Sequence, residues 1–387
     1  MKRTNIWAFT LLLFAGIGLE SCNQTDTDSK YITVDVKGNY PKKEISLQDF
    51  MDVEYIPLET TDEFITQGSI KDIGKKYVLV TNRFNDGNIF IFDRQSGKGI
   101  RKINRQGQGA EEYARISGII LDEDNGEIFV STTPGNRMLV YDLNGTFRRS
   151  LNIDRQVTSV YNYNADNLIC YDMSDYHDKG KDRTGAYHIL ISKKDGSITK
   201  EIFIPFKTIN TPVVRDKDRF IANYSYQLRP SNGQYTLIET SSDTLYNYGP
   251  DGTLTPFLVR TPSVNTMDPE IFLYMGIHTD RFYFMETVEN TFNFEKGSGF
   301  YPNVLMYDKL DKSVYQVTVY NADYKDKKRV AVTARPINNE IEGAVSLEAS
   351  QLKDAYEADK LANGRLKEIA SKLGEEDNPV IMLLKQK

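Results

Sequence analysis

Residues 69–104 have the sequence SIKDIGKKYVLVTNRFNDGNIFIFDRQSGKGIRKIN, which contains the clearest strand and turn signals of the chain. Two apolar segments in it, 77–81 and 89–93, are rich in β-branched and aromatic residues, which pack well on a pleated surface. The NDGN sequence at 85–88 separates them, because Asn and Gly adopt the positive φ of a hairpin turn at little cost. With a first strand at 69–73 and a last strand after a glycine turn, the stretch predicts a four-stranded antiparallel sheet.

The aromatic strand and the turn that follows it recur five times along the chain. The turns are separated by 48, 51, 56 and 60 residues and lie at Gly97, Gly145, Gly196, Gly252 and Lys312. An upstream strand precedes the aromatic strand in each copy. Four strands repeating at about fifty residues are typical of propeller blades. The repeat therefore predicts five internal blades.

Both ends of the chain carry further strand-like segments. These are 31–36 and 53–58 near the start, and 329–334 and 379–384 near the end. Because a propeller must close its ring and cover its strand edges, we predict a sixth blade built from both termini. The fold class is therefore all-β: a six-bladed propeller of four-stranded antiparallel blades, closed by N- and C-terminal strands. One helix at about 347–373, ending before Gly374, is predicted within the closing blade and is expected to pack on its flank.

Residues 1–21 have the pattern of an export signal. Lys2 and Arg3 precede a 14-residue apolar run at 6–19, which is short of the ~20 residues of a transmembrane helix. The sequence Leu19-Glu20-Ser21-Cys22 resembles a bacterial lipobox, which implies a diacylated Cys22 as the mature N-terminus. An ordinary secretory signal is the alternative. Residues 22–30 are then a polar tether and residues 31–387 the propeller.

Composition excludes several classes of function. The chain is 40% hydrophobic and 11% aromatic, which fits an ordered domain, and its net charge of -6 argues against nucleic acid as a partner. With Cys22 acylated, only Cys170 remains, so no intramolecular disulfide is expected. The histidines are His177, His188 and His278, too few for a zinc cluster. No metal and no cofactor is predicted.

Three segments resemble the six-bladed β-propeller lipoproteins of Bacteroidota, which are NHL-like propellers. Residues 53–60 (VEYIPLET) resemble the opening strand of that family, and residues 105–113 (RQGQGAEEY) resemble its R-x-G-x-G-P-G-E-Y signature, with Ala110 and Glu111 replacing Pro and Gly. Residues 378–387 resemble its closing strand. The resemblance implies the propeller fold and an outer-membrane lipoprotein on the periplasmic or cell-surface side.

Two groups of residues are candidate ligand-binding sites. The polar loop SDYHDKGKDRTG at 174–185 lies among aromatic residues, and aromatics combined with cations on long loops suit sugar or peptide binding. The predicted site residues there are Tyr176, His177, Arg183, Tyr224 and Arg229, and solvated loops with packing aromatics are the alternative. In the signature loop, Arg105, Glu112 and Tyr113 are predicted either to fix adjacent blades or to bind ligand.

These features favour a lipid-anchored envelope propeller that acts as a non-catalytic ligand-binding or protein-docking module. The expected partners are the membrane, through acylated Cys22, and an envelope protein or a glycan or peptide ligand linked to uptake. The alternative is a propeller-fold polysaccharide lyase or hydrolase. Its carboxylates, or a group of Tyr, His and Arg, would then lie at the channel mouth.

Overall fold

The hairpins of the sequence repeat form a six-bladed β-propeller in the computed structural model, which describes residues 31–133 and 136–387. The first three blades are four-stranded antiparallel sheets, as predicted. The first blade consists of Ser69–Ile73, Tyr77–Thr81, Asn88–Asp93 and Gly99–Asn104. The second consists of Ile116–Asp122, Glu127–Thr132, Arg137–Asp142 and Phe147–Asn152. The third consists of Val157–Asn162, Asn167–Asp172, His188–Ser192 and Ile198–Ile202.

Blades four and five each gain an outer strand from the start of the chain. Blade four consists of Leu228–Ser231, Gln234–Leu237, Thr244–Tyr248 and Leu254–Thr261. Blade five consists of Ile271–His278, Phe282–Glu289, Pro302–Asp308 and Ser313–Asn321, with the short strand Lys328–Arg329 beside the last. Ile32–Asp35 pairs in parallel with the outer strand of blade four, and Lys42–Ser46 does the same in blade five. The prediction that 31–36 belongs to the sixth blade is therefore wrong: this strand covers the edge of blade four.

The sixth blade closes the ring with strands from both termini, as predicted. Val380–Gln386 lies between Ile341–Leu347 and Met51–Pro57 and pairs antiparallel with both. This sheet has three strands instead of four. The predicted strand at 329–334 is not part of it, because Lys328–Arg329 pairs with blade five and the following residues run irregularly, with Val332 O accepting a hydrogen bond from Ile277 N.

Two short helices replace the single helix predicted at about 347–373. They span Ala349–Glu357 and Arg365–Ala370, and Leu347 belongs to a strand. The chain between them leaves the helical path because its backbone pairs with the segment after the last strand of blade five: Lys325 N donates to Lys360 O at 2.8 Å and Ala362 N donates to Asp323 O at 2.9 Å. Leu352 and Ile369 pack into the core between blades five and six, so the helices brace the flank as expected.

Six hydrophobic clusters occupy the six contacts between neighbouring blades. Adjacent residues of one strand point to opposite sides of the sheet. Phe90 accordingly packs towards blade six, whereas Ile91 packs towards blade two. Because every middle strand is covered on both sides, its sequence is a continuous apolar run, and this explains the aromatic repeat. Two smaller hairpins lie in the connections, Val213–Asp216 with Arg219–Ala222 and Phe292–Asn293 with Ser298–Gly299. Single 3-10 turns occur at Leu47–Asp49 and Val264–Thr266.

Candidate functional site

The strand order gives the propeller two chemically different faces. In each of the first five blades the turns after the first and third strands lie at one end of the sheet, and the connection after the second strand and the link to the next blade lie at the other. In blade six the connection after Ile341–Leu347, which contains the two helices, lies at the second end. We call the first end the hairpin face and the second the loop face. The long connections 173–187, 203–227 and 290–301 and the two helices all lie on the loop face.

The loop face carries most of the exposed apolar side chains. Eight of the ten large hydrophobic residues that are exposed in the described chain lie there. They are Ile65, Phe84, Phe203, Phe220, Tyr224, Tyr226, Tyr301 and Tyr356. We call Phe203, Phe220, Tyr224, Tyr226 and Tyr301 the aromatic surface, because the connections of blades three to five supply all five.

Tyr176 and Tyr224 join the two longest of these connections. Their rings stack with centroids 5.6 Å apart and an interplanar angle of 21°, and the Tyr176 hydroxyl donates to Asn223 O at 3.2 Å. Tyr176 is 3% exposed, whereas Tyr224 is 61% exposed. Burial raises the pKa of Tyr176 above its usual range. Tyr176 therefore supports Tyr224 from below, and Tyr224 presents its outer face to solvent.

His177 belongs to the same cluster. Its ring packs edge-on against Phe220 at 5.1 Å, and its carbonyl oxygen accepts a hydrogen bond from the Arg215 guanidinium at 3.2 Å. The Arg215 guanidinium also lies 5.4 Å from the centre of the Phe220 ring, a distance at which a cation is attracted to a ring face. The structure thus adds Phe220 and Arg215 to the predicted group. The aromatic density of residues 220–226 (FIANYSY) was the available signal for Phe220.

Arg183 lies at the border of the same face. Its guanidinium is 5.0 Å from the centre of the Phe206 ring and 5.6 Å from that of Phe203, and it donates to Ile204 O at 2.5 Å. Phe203 is 54% exposed. Arg183 therefore orders the edge of the aromatic surface.

Arg229 is separated from the other predicted residues. It lies on the inner strand of blade four, is 1% exposed, and pairs with Glu342 of blade six at 3.2 Å. It also donates to Ala334 O at 2.8 Å. Burial lowers the pKa of Arg229. The structure therefore places Arg229 inside the channel, where it links two blades.

The signature-loop residues hold their own loop together. The Tyr113 hydroxyl donates to Gly87 O at 2.7 Å and accepts from Arg105 N at 2.9 Å. Glu112 accepts from Gly109 N at 2.9 Å, and Arg105 Nε donates to Gly145 O at 2.9 Å. Tyr113 is completely buried, and burial raises its pKa to about 12. Of the two predicted roles, these contacts correspond to fixing blades one and two.

A cavity of about 500 Å³ opens on the hairpin face at the channel mouth. Its lining includes carboxylates (Asp72, Asp122, Glu123, Asp124 and Glu340), asparagines and the three tyrosines Tyr161, Tyr163 and Tyr235. Burial raises the pKa of Asp72 to about 6. None of the predicted site residues and none of the three histidines lines this cavity. His188 and His278 are buried elsewhere in the propeller, so no group of Tyr, His and Arg forms at this mouth.

The described residues form neither a metal-binding cluster nor a membrane-spanning helix. No group of three His, Cys, Asp or Glu side chains within residues 31–133 and 136–387 is arranged to hold a metal ion. No helix in that part of the chain is long and apolar enough to cross a membrane. Cys170 is buried and unpaired, and burial raises the pKa of its thiol well above the usual range. Cys22 lies outside the described residues.

Comparison with known proteins gives a family and several similar structures. The DUF5128 family model, described as "6-bladed beta-propeller", matches residues 21–341. The crystal structure of a Bacteroides fragilis NCTC 9343 protein, described as an exported protein, has a TM-score of 0.60 at 15% identity and covers 92% of this chain and 99% of its own. The crystal structure of a DUF4221 member from Bacteroides vulgatus ATCC 8482 has a TM-score of 0.46 at 10% identity, and it covers 87% of this chain and 97% of its own. At these identities the likeness concerns the fold alone. Among curated proteins, none matches the sequence.

Proposed function

The chain belongs to the DUF5128 family of six-bladed β-propellers, and from that premise we propose that it is a lipid-anchored envelope protein whose loop face docks a protein partner. The observation that carries this proposal is the aromatic surface. Tyr224, Phe220 and Tyr301 are 61%, 53% and 70% exposed, and exposed apolar groups concentrated on one face mark an interaction site. Aromatic residues and Arg are the types that dominate binding energy at protein interfaces.

The shape of the loop face supports a protein partner over a small ligand. Small molecules bind in concave sites that bury most of their surface. The cavities at Asp72, at Gly374 and at Arg281 are lined by other side chains. The aromatic surface is also ordered before binding, because Tyr176 stacks beneath Tyr224 and Arg215 lies over Phe220. Pre-ordered side chains lose less conformational entropy on association.

The net charge of this surface indicates the charge that the partner's surface should have. The connection 203–227 has four cations, Lys207, Arg215, Lys217 and Arg219, against the acids Asp216 and Asp218, a net charge of +2 in a chain with net charge -6. A partner with an apolar patch surrounded by acidic residues would complement it. A local positive field also accelerates the encounter with such a partner.

The anchor is the second part of the proposal. A diacylated Cys22 would hold the protein stably, since each buried CH₂ contributes roughly 0.8 kcal/mol. Mass spectrometry of the native N-terminus tests this part. The expected result is an acylated Cys22 and a soluble product for Cys22→Ala, whereas a Cys22→Ala protein that stays membrane-bound would contradict it.

Site-specific photo-crosslinking in the native cell tests the docking surface. A photoreactive amino acid at Phe220, Tyr224 or Tyr301 should give a discrete adduct with one envelope protein. Leu310 is the matched control, because it is 75% exposed but follows the third strand of blade five on the hairpin face. Absence of adducts at all three positions, or equal adducts at Leu310, would refute the proposal.

A second candidate function is a propeller-fold hydrolase or lyase with its site at the channel mouth. It is favoured by one observation, the hairpin-face cavity with Asp72, whose pKa burial raises to about 6. A carboxyl group with a raised pKa is suited to general acid catalysis. Turnover of a polysaccharide that Asp72→Asn abolishes would favour this candidate over the docking module.

A further inference from the structure

The channel mouth on the hairpin face is a built cavity and not a gap between loops. Inner-strand or turn residues of five blades contribute to its wall: Asp72, Glu123, Asn162, Pro230 and Asn338 represent blades one, two, three, four and six. Its volume of about 500 Å³ lies within the range of small-molecule sites. It is independent of the aromatic surface, because the two lie on opposite faces.

Hydrogen bonds between blades hold this wall in place. Glu123 of blade two accepts three backbone N–H groups of blade one, from Lys75, Lys76 and Tyr77, at 2.8, 2.9 and 3.0 Å. In return, Asp72 accepts from Leu121 N at 2.7 Å. A site fixed in this way does not spend binding energy on ordering its own groups.

The same bracing continues towards blades three and six. Asn162 Nδ2 of blade three donates to Leu121 O at 2.7 Å, and Lys193 Nζ donates to Asp122 at 2.7 Å. Asn338 Nδ2 donates to Ile73 O at 2.8 Å. The turn at 123–126 is a hairpin turn of this wall.

The wall offers more hydrogen-bond acceptors than donors. The Asp124 carboxylate is exposed at the rim and has no partner among the described residues. Of the charged lining residues, five are acidic and two, Lys75 and Lys193, are basic, giving a net charge of -3. Glu340 and Asp122 are paired with Arg94 and Lys193, so the unpaired Asp124 at the rim is the carboxylate that would repel an anionic ligand. A neutral ligand rich in hydroxyl donors would satisfy it.

Aromatic rings provide the apolar part of the wall. Tyr163 is stacked on Tyr248 at 5.7 Å, and its hydroxyl donates to Gly249 O at 2.9 Å, which fixes the ring. Tyr235 lies 6.0 Å from Tyr163. A fixed tyrosine beside carboxylates and amides presents an apolar surface next to polar groups. This combination matches a sugar ring, which has C–H groups on its faces and hydroxyls at its edge.

We propose that the hairpin-face cavity binds a short neutral saccharide of roughly one or two rings, with a ring against Tyr163 and hydroxyls donated to Asp72 and Asp124. The site excludes uronate-containing glycans because its lining is acidic. It would let the propeller hold a glycan fragment on one face while the other contacts a protein.

Calorimetric titration of the full-length protein in detergent micelles tests this site. The probes are cellobiose, xylobiose, mannobiose and lactose, with digalacturonate as the anionic counterpart. At least one neutral disaccharide should bind and digalacturonate should not. Tyr163→Ala and the exposed-rim variant Asp124→Lys should each weaken that binding at least tenfold, and the loop-face variant Tyr224→Ala should leave it unchanged.

Three outcomes would overturn the proposal. They are no binding of any of the four neutral disaccharides, stronger binding of digalacturonate, and equal affinity in the wild type and Asp124→Lys. Tyr163 packs against Tyr248, so Tyr163→Ala could lose binding because it is destabilised. Its loss of binding supports the site only if its thermal unfolding matches that of the wild type. If the unfolding differs, the affinity of the exposed-rim variant Asp124→Lys is the deciding measurement. Cleavage of a bound disaccharide would be a fourth such outcome, because it would identify the cavity as a hydrolase site.

Discussion

Arg229 and Glu342 form an ion pair inside the propeller channel, with Nη1 and Oε2 3.2 Å apart and side chains that are 1% and 0% exposed. The pair joins the inner strand of blade four to the first strand of blade six. Glu342 also accepts from Ser231 Oγ at 3.0 Å and from Gln386 Nε2 at 2.7 Å. Through Gln386 the network reaches the strand that closes the ring.

Removing one charge of this pair should destabilise the protein strongly. In Glu342→Gln, Arg229 is left buried without a counter-charge, and breaking such a pair costs about 3–5 kcal/mol. Urea unfolding measures the change. The matched control is Lys327→Gln, which breaks the exposed ion pair with Glu44 and should leave the unfolding free energy unchanged. Equal stability of Glu342→Gln and the wild type would contradict the bridging role.

The contact between blades six and one should be sensitive at Gly97. A Cβ there would lie 1.9 Å from Pro57 O, at the end of the outer closing strand, and the residue has a φ of +73°. Gly97→Ala should therefore lower the unfolding free energy by more than the ~1–2 kcal/mol that a left-handed conformation costs alone. Gly233→Ala isolates that conformational cost, because its φ is +75° and no atom lies within 4 Å of the added Cβ. If both variants lose the same stability, the ring does not depend on this contact.

The stability of the protein should carry a pH-dependent contribution from Asp72. Burial raises its pKa to about 6 in the folded protein, above the ~3.9 of an unfolded chain. The folded state therefore binds more protons between pH 4 and pH 6, and this contribution to stability is lost as the pH rises through that window. The shift corresponds to about 3 kcal/mol. Between pH 4 and pH 7, the unfolding free energy of the wild type should fall by up to this amount relative to that of Asp72→Asn. Parallel curves of unfolding free energy against pH for the two proteins would contradict the contribution of Asp72.

The neutral state of His188 should make the fold acid-sensitive. Its Nε2 lies 3.2 Å from Gln227 O, and burial lowers its pKa to about 4, below the ordinary value of 6.5. Stability from the neutral imidazole is therefore present above pH 6.5 and lost as the pH falls towards 4. His188→Gln should lose less stability than the wild type over this range. Chemical unfolding at each pH tests the difference, and a wild type that is no more acid-sensitive than the variant would exclude this contribution.

Most of the blade architecture could be predicted from the sequence because its signals are local. The apolar strands and the glycine turns after them specify each hairpin, and the strands at 69–73 and 77–81 have the predicted bounds. The edge strand Ile32–Asp35 was assigned to the wrong blade, and Lys42–Ser46 was not predicted. They pair through backbone hydrogen bonds at sheet edges, and such pairing leaves little trace in the side chains.

The candidate sites were only partly predictable, since they join distant parts of the chain. Tyr176 and His177 were recognised as part of an aromatic and cationic loop, and the structure stacks Tyr176 on Tyr224, which is 48 positions away. Arg229 is only five residues from Tyr224, yet the start of an inner strand turns it into the channel. The hairpin-face cavity combines Asp72 with Asn338, a pairing that ring closure creates and no local pattern encodes.

Docking through the loop face can be measured as the affinity between the propeller and the envelope protein that crosslinks to Tyr224. The dissociation constant is to be measured for the wild type, for Phe220→Ala combined with Tyr224→Ala, and for Leu310→Ala on the opposite face. We expect at least tenfold weaker binding for the double variant, about 1.4 kcal/mol or more, and no change for Leu310→Ala. An unchanged dissociation constant in the double variant, or an equal loss in Leu310→Ala, would contradict docking through the loop face.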